Sequence, residues 1–374
     1  MSKAAELAAL IANVNKGSSL AAKNFIINGA MTVAQRGTSA VAVGSGTYPS
    51  VDRIKCWEST DGAYTGEQST SVPSGQGFSN STKLAVTTAD TSLAASQYSQ
   101  IAQVIEAQNL QSLAYGTSDA KTITLSFWVR SNKTGTYCVT IVKEDSTTAH
   151  YVKEYSISSA DTWEKKTITI VPDSNITSGA GAIANDNGAG LIVYWNLAMG
   201  TTFDDATDNA WSTNTNHWST TNQVNWMDST SNTFYLTGVQ LEIGEKATEF
   251  EHEPYEATLA KCQRYYLRRN SESGQVYTYF GAGHVSNAGA ARVYTTFPVQ
   301  MNHVPVLETT GTASNYVCFN IDTDALTSMT ITNASLNESG LTLNDSGNNL
   351  TAGRGCNLIG NNTTDAFIAF ESEL

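Results

Sequence analysis

Charge is scarce in this sequence. Asp, Glu, Lys and Arg make up only 15% of its 374 residues, against roughly 25% in an average globular chain. The basic side is the poorer: Lys and Arg total 21 and Asp and Glu 34, a net charge of −13. A surface of that sign repels phosphate backbones and anionic headgroups, so no nucleic-acid partner is expected. No run of ~18 apolar residues appears, and no membrane insertion is expected. No charged-then-apolar leader opens the chain, and no secretory signal is expected. Cysteine is sparse and scattered, five residues at 56, 138, 262, 318 and 356 with no C-x-x-C pair. That excludes a disulfide framework or zinc site and reads as reduced core thiols of a protein made in the cytoplasm. Catalytic phrases are missing as well: there is no H-E-x-x-H, no G-x-S-x-G, no P-loop and no dinucleotide fingerprint. No catalytic residue, no metal and no cofactor is therefore expected, although a carboxylate pair for glycoside cleavage is decided only by separation in space. Nothing recurs at a fixed period, which removes solenoids and propellers.

What is present is a hydrophobic fraction of 40%, enough for packed cores, in a chain long enough for two or three domains of about 150 residues. Residues 1–22 carry Leu7, Leu10, Ile11 and Val14 at helical spacing, with Ser2 as a cap and Gly17 as a stop. A helix this short is marginal alone, so it needs copies of itself, another protein or its own downstream domain. From 23 to 253 the pattern changes to short apolar stretches between polar clusters: NFIIN (24–28), RIKCW (53–57), KLAVT (83–87), TITLSFWVR (122–130), YCVTIV (137–142), YVKEYSI (151–157), WEKKTITIV (163–171), GLIVYWNLAM (190–199) and TFYLTGVQLEI (233–243). Ile123, Leu125, Phe127 and Val129 alternate onto one face, as do Leu191, Val193, Trp195 and Leu197. These are the marks of an antiparallel β-sandwich of jelly-roll type. Segment 97–113 fits either a short helix or a strand followed by a turn. Residues 254–270 read as a linking helix, with Tyr255, Leu259, Cys262 and Tyr266 at helical spacing and Arg264, Arg268 and Arg269 near its end. Residues 271–374, which contain no Trp, read as a smaller C-terminal β domain. The fold class is therefore mainly β, with an N-terminal helix, a sandwich, a linking helix and a second β domain.

The candidate contact residues lie in 203–228. Trp211, Trp218 and Trp226 stand in a polar stretch without apolar periodicity, beside Asp208, Asn209 and Asn216. Two readings stay open. The indoles present a surface for a glycan or receptor, with the amides and carboxylate taking hydroxyls, or the loop folds over the sandwich and buries them. Trp57, Trp128, Trp163 and Trp195 sit within strands and read as core. Asp204, Asp205 and Asp208 lack the spacing of a calcium loop and read as a solvated acidic loop.

The opening NFIINGAMTVAQRGTS (24–39) with SVDRIKCW (50–57), and above all TGVQLEIGEKATEFEHEPYEATLAKCQRYY (237–266), resemble a module of tailed-bacteriophage fibre and fibre-like structural proteins. TTFPVQMNHVPVLE (295–308) and AFIAFESEL (366–374) are similar to the terminal β domain of such fibres. One departure is Ile54, which follows Val51-Asp52-Arg53 where an aromatic is commoner. The resemblance implies a sandwich similar to carbohydrate-binding jelly rolls. It also implies a homotrimer with Leu7, Leu10, Ile11 and Val14 on its axis, joined through that helix to other virion proteins. The expected place is the virion, at the tail or outer surface, and the expected partner is a host-surface glycan or protein. The alternatives are a capsid decoration or head fibre, and a glycan-cleaving tail enzyme.

Overall fold

The computed structural model describes residues 24–271, 274–319 and 323–374, together with Lys3. Leu7, Leu10, Ile11 and Val14 of the expected N-terminal helix lie outside the described residues. The first body is an antiparallel sandwich of two six-stranded sheets. Its strands are β1 (Val41–Ala42), β2 (Lys55–Glu58), β3 (Ala63–Ser69), β4 (Ser81–Thr88), β5 (Tyr98–Glu106), β6 (Ile123–Ser131), β7 (Gly135–Lys143), β8 (Ala149–Ile157), β9 (Glu164–Ile170), β10 (Ala189–Met199), β11 (Ala210–Ser212) and β12 (Thr233–Ile243). The first sheet runs β1-β3-β4-β12-β6-β9 and the second β11-β8-β7-β10-β5-β2, so the chain passes repeatedly from one sheet to the other.

The period-2 alternation explains the core. Ile123, Leu125, Phe127 and Val129 on β6 face Leu191, Val193, Trp195 and Leu197 on β10 within one apolar cluster, all fully buried. The open segment 97–113 resolves into strand β5 followed by a 3-10 turn over Ala107–Leu113. NFIIN, expected as a strand, is a looped wedge instead, because its polar side chains take the hydrogen bonds a ladder would use. Asn24 accepts from the Leu241 amide at 3.0 Å and donates to the Val239 carbonyl at 3.1 Å. Asn28, with φ of 61°, donates to the carbonyls of Val33 and Asp52 and accepts from the Val33 amide. Gly29 lies so close to β12 that a Cβ there would stand 2.1 Å from the Val239 carbonyl oxygen, so only glycine fits.

The linking helix is shorter than expected. Helix α1 spans Tyr255–Gln263, and the chain then forms β13 (Tyr266–Asn270), which pairs with β22 (Phe367–Glu371). Helical spacing at Tyr266 was misleading because the two aromatics after Arg264 anchor the second body: Tyr265 and Tyr266 are both fully buried. That second body therefore begins at β13. It continues with β14 (Tyr279–Asn287), β15 (Ala290–Thr296), β16 (Val306–Thr309), β17 (Tyr316–Phe319), β18 (Thr323–Ala325), β19 (Ser328–Ala334), β20 (Glu338–Asn344) and β21 (Gly355–Gly360) before β22 closes it. A small sheet β13-β22-β16 adjoins a seven-stranded sheet, β18-β17-β21-β14-β15-β20-β19, that curls into a half-barrel. Its core holds Phe280, Val293, Met301, Tyr316, Leu343 and Phe370.

The bodies are joined through buried charge. Arg53, 1% exposed, pairs with Glu373, donates to the Val104 carbonyl at 2.6 Å and lies 3.6 Å from the Tyr265 ring centroid. Burial works against the Arg53 charge most strongly, but Glu373 together with Tyr48, Tyr265 and Cys262 outweighs it and raises its pKa. Removing one partner of such a pair strands the other and costs roughly 3–5 kcal/mol. Arg36 stacks 3.5 Å over Tyr266 and reaches Glu373 at 3.4 Å. Gln35 bridges Asp52, at 2.6 Å, and the Tyr266 carbonyl, at 2.6 Å. Arg264 and the Tyr265 hydroxyl both donate to the buried Glu106 of β5, the Arg264 Nε at 2.9 Å and the hydroxyl at 2.7 Å.

At the edge of this junction Glu308 and Glu371 share a hydrogen bond. That bond, with burial, pushes the Glu371 carboxyl up to about 7 from 4.5. Burial likewise pushes Asp52 up to about 6 from 3.8, against the pull of Arg36. Carboxyls that hold protons more tightly folded than unfolded make stability fall as pH rises through that window. Thermal unfolding should therefore show the melting temperature falling from pH 5 to pH 8. Glu371→Gln should remove the fall above about pH 6 and leave the Asp52 part below it; an unchanged profile would remove Glu371 as its source.

Candidate functional site

The second sheet turns its inner face to the core, and its outer face, partly covered by Trp218 and Leu374, is unusually aromatic. Along β5 the side chains alternate: Ile101 packs inward, whereas Tyr98 and Gln100 face out. On β2 Cys56 is inward and Trp57 outward; on β10 Trp195 is inward and Tyr194 outward. These outward residues, with Met199 at the end of β10 and Phe203 and Trp218 from the loop that follows, line a groove of about 310 Å³. Tyr98 meets Phe203 edge-on at 5.7 Å, and Tyr194 meets Trp218 edge-on at 4.9 Å. The lining is five aromatic rings, one thioether and one amide, with no charged group.

A buried polar network holds the groove in shape. Asn196, fully buried on β10, accepts from Gln100 Nε2 at 2.9 Å. Its own amide donates to the Thr140 hydroxyl at 2.9 Å and to the Trp218 carbonyl at 2.6 Å. The Thr140 hydroxyl bonds the same carbonyl. The backbone bearing Trp218 is thus pinned to two strands, β7 and β10, and the indole is preorganised. A β-bulge between Asn196 and Ala198 accompanies this arrangement, as bulges do where a strand must re-aim side chains. At one end Lys55 donates to the Leu374 carbonyl at 2.9 Å and lies 4.8 Å from the Trp57 ring centroid. Aromatic rings set edge-on around an oriented amide suit a ligand with a C–H-rich face and hydroxyl edges, which describes a sugar ring.

The three indoles of 203–228 part company. Trp218 joins the groove. Trp211 is 7% exposed on β11 and donates its indole N–H to the Val171 carbonyl at 3.1 Å. Trp226 is fully buried in the core, edge-on to Tyr64 at 5.6 Å. Asp208 is engaged by Lys153 at 2.6 Å and by the Glu154 amide at 2.8 Å. Asn209 accepts from the Tyr151 hydroxyl at 2.7 Å and takes a left-handed φ of 62°. The Asn216 amide bonds Asn214 on the exposed loop. The loop therefore does both things the sequence left open: it buries two indoles and presents the third. Trp57, read as core, is half-exposed on the groove, and Tyr98, Gln100, Tyr194, Met199 and Phe203 were not singled out. One signal for them was available: in a half-buried strand the residues alternate with the core set, and here those alternates are aromatic.

No protein family and no curated protein matches the sequence. Among solved structures the chain is distantly similar to the enzymatically active domain of tailspike protein 4 of bacteriophage CBA120. That match has a TM-score of 0.31 and 12% identity, over 59% of this chain and 21% of that one. It is also similar to a putative sugar binding protein from Bacteroides thetaiotaomicron, with a TM-score of 0.31 and 11% identity over 59% of this chain and all of that one. A third similarity is to the family 11 carbohydrate-binding module from Clostridium thermocellum in complex with a β-1,3-1,4-mixed-linked tetrasaccharide. Its TM-score is 0.27 and its identity 11%, over 58% of this chain and 99% of that one. The chain spans about a fifth of the tailspike structure it matches.

The different burial of two indoles has a measurable consequence. Trp226→Ala should cost about 3–5 kcal/mol in chemical denaturation, the price of a large cavity in a closed core. Trp218→Ala, at a half-exposed site, should cost well under half of that. Equal losses would contradict the placement of Trp218.

Proposed function

We propose that this chain is a glycan-binding structural protein of a tailed-phage particle, a tail fibre or fibre-like appendage whose sandwich takes a neutral host-surface sugar. The observation that carries the binding half is the groove itself. Trp57, Tyr98, Phe203 and Trp218, all partly exposed, converge with the buried Tyr194 around Gln100; the lining carries no charged side chain, and Lys55 stands at one end against Trp57. Aromatic rings left facing water on a rigid sheet are costly unless a ligand covers them. An uncharged lining on a chain of net charge −13 favours neutral sugars over uronates, sialates or phosphorylated glycans.

The particle half is supported by the resembling phrases. The segments around Asn24–Arg36, Val51–Arg53 and Cys262–Tyr266 meet Glu373 in one buried junction. In this reading the residues shared with fibre modules are those that lock two β bodies together. Residues 1–22 attach the chain to other virion proteins and assemble it as a homotrimer, and the chain binds sugar without cleaving it.

On a printed array of neutral and acidic oligosaccharides the protein should bind neutral ones and release no new reducing ends. Trp57→Ala and Trp218→Ala, each confirmed folded by circular dichroism, should weaken that binding roughly tenfold or more. A preference for acidic glycans, or binding indifferent to both substitutions, would sink the groove as the site. Light scattering should return a trimer for the full chain and a smaller species without residues 1–22; an unchanged mass would remove that segment as the assembly element.

A further inference from the structure

The aromatic groove does not exhaust the outer face of the second sheet. Beyond Trp218 lies a second cavity of about 180 Å³, lined among others by His150 and Val152 of β8, Ser212 of β11 and His217. Trp218 stands between the two, edge-on to Tyr194 at 4.9 Å on one side and to His150 at 4.6 Å on the other. The partition is a single side chain thick.

We propose that the two cavities are successive subsites for one linear neutral oligosaccharide, which crosses Trp218 and seats a further ring against His150 and Ser212; this rests on the groove reading above. The sheet order β11-β8-β7-β10-β5-β2 gives the scale: at ~4.8 Å between strands the face is roughly 24 Å across, long enough for several sugar rings. The chemistry of the second cavity fits hydroxyls. The His150 Nδ1–H donates to the His217 carbonyl at 3.0 Å, which leaves Nε2 as an acceptor on the neutral ring. Burial holds the His150 pKa below its ordinary value, so the ring meets a ligand uncharged. The Ser212 hydroxyl accepts from the Asn214 amide at 3.1 Å and keeps its proton to donate. Asp205, 3.6 Å from His217 Nε2 and largely exposed, sets a negative charge at the rim that turns acidic sugars away.

The test uses the full-length protein against di-, tetra- and hexasaccharides of each neutral sugar that binds on the array. Affinity should rise about tenfold or more from di- to hexasaccharide. His150→Ala should abolish that gain and leave disaccharide binding within about twofold. Ser212→Phe, which fills the cavity from an edge strand without emptying a core position, should do the same and guards against a misfolded His150 variant. If the disaccharide binds as tightly as the hexasaccharide while Trp57→Ala still weakens both, the second subsite is wrong and the groove stands. If Trp57→Ala changes binding at no length, the groove fails and the second subsite falls with it.

Discussion

The ion pair between Arg53 and Glu373 is the constraint on which the arrangement of this molecule depends. It is buried on both sides, and a buried pair offsets its desolvation only where further hydrogen bonds satisfy the remaining donors and acceptors; here the Arg53 Nε–H alone of its guanidinium nitrogens is left without a partner. Arg53 therefore needs the Val104 carbonyl and the Tyr265 ring, and Glu373 needs Arg36 as well. Arg53 also sits at a φ of 70°, a conformation that disfavours a long side chain. Such a residue is retained where its surroundings fix it from several directions. Those directions come from the wedge before β1, the turn into β2, strand β5, the segment after α1 and the residues after β22, so five separated stretches are bound to one geometry.

That convergence coincides with part of what was legible in the sequence. Residues around 35–36, 51–53 and 262–266, which the resemblance drew attention to, place side chains in one polar network. Strand positions were readable where burial on one face imposed a strict alternation, as at Ile123–Val129 and Leu191–Leu197. They were unreadable at β3 and β11, where few apolar residues mark the strand. The end of α1 was misjudged because Tyr265 and Tyr266 satisfy helical spacing and strand pairing equally well. The tertiary partners Glu106 and Arg36 decide between them.

The site was half legible for a related reason. Composition pointed to the Trp-rich loop, and one of its three indoles does reach the groove. Which one depends on where Asn196 and Thr140 pin the backbone, a contact between residues 22 and 78 positions apart in the chain that no local pattern announces. Phe203 comes from the same loop, and the other rings come from β2, β5 and β10, strands whose outer faces carry aromatics that read locally as core. A strand sequence shows that both faces are apolar; only the tertiary structure reveals that the outer one is covered by a loop and the C-terminal residue, which leave a groove between them.

The groove is assembled from two kinds of material. Tyr98, Gln100 and Tyr194 belong to strands whose opposite faces build the core, so changing the backbone beneath them disturbs the whole sandwich. Phe203 and Trp218 hang from a loop fastened mainly through its main chain, to Asn196 and Thr140. Their side chains are free to vary while the fastening persists. One wall of the groove can thus be redrawn by point substitution, with the foundation untouched.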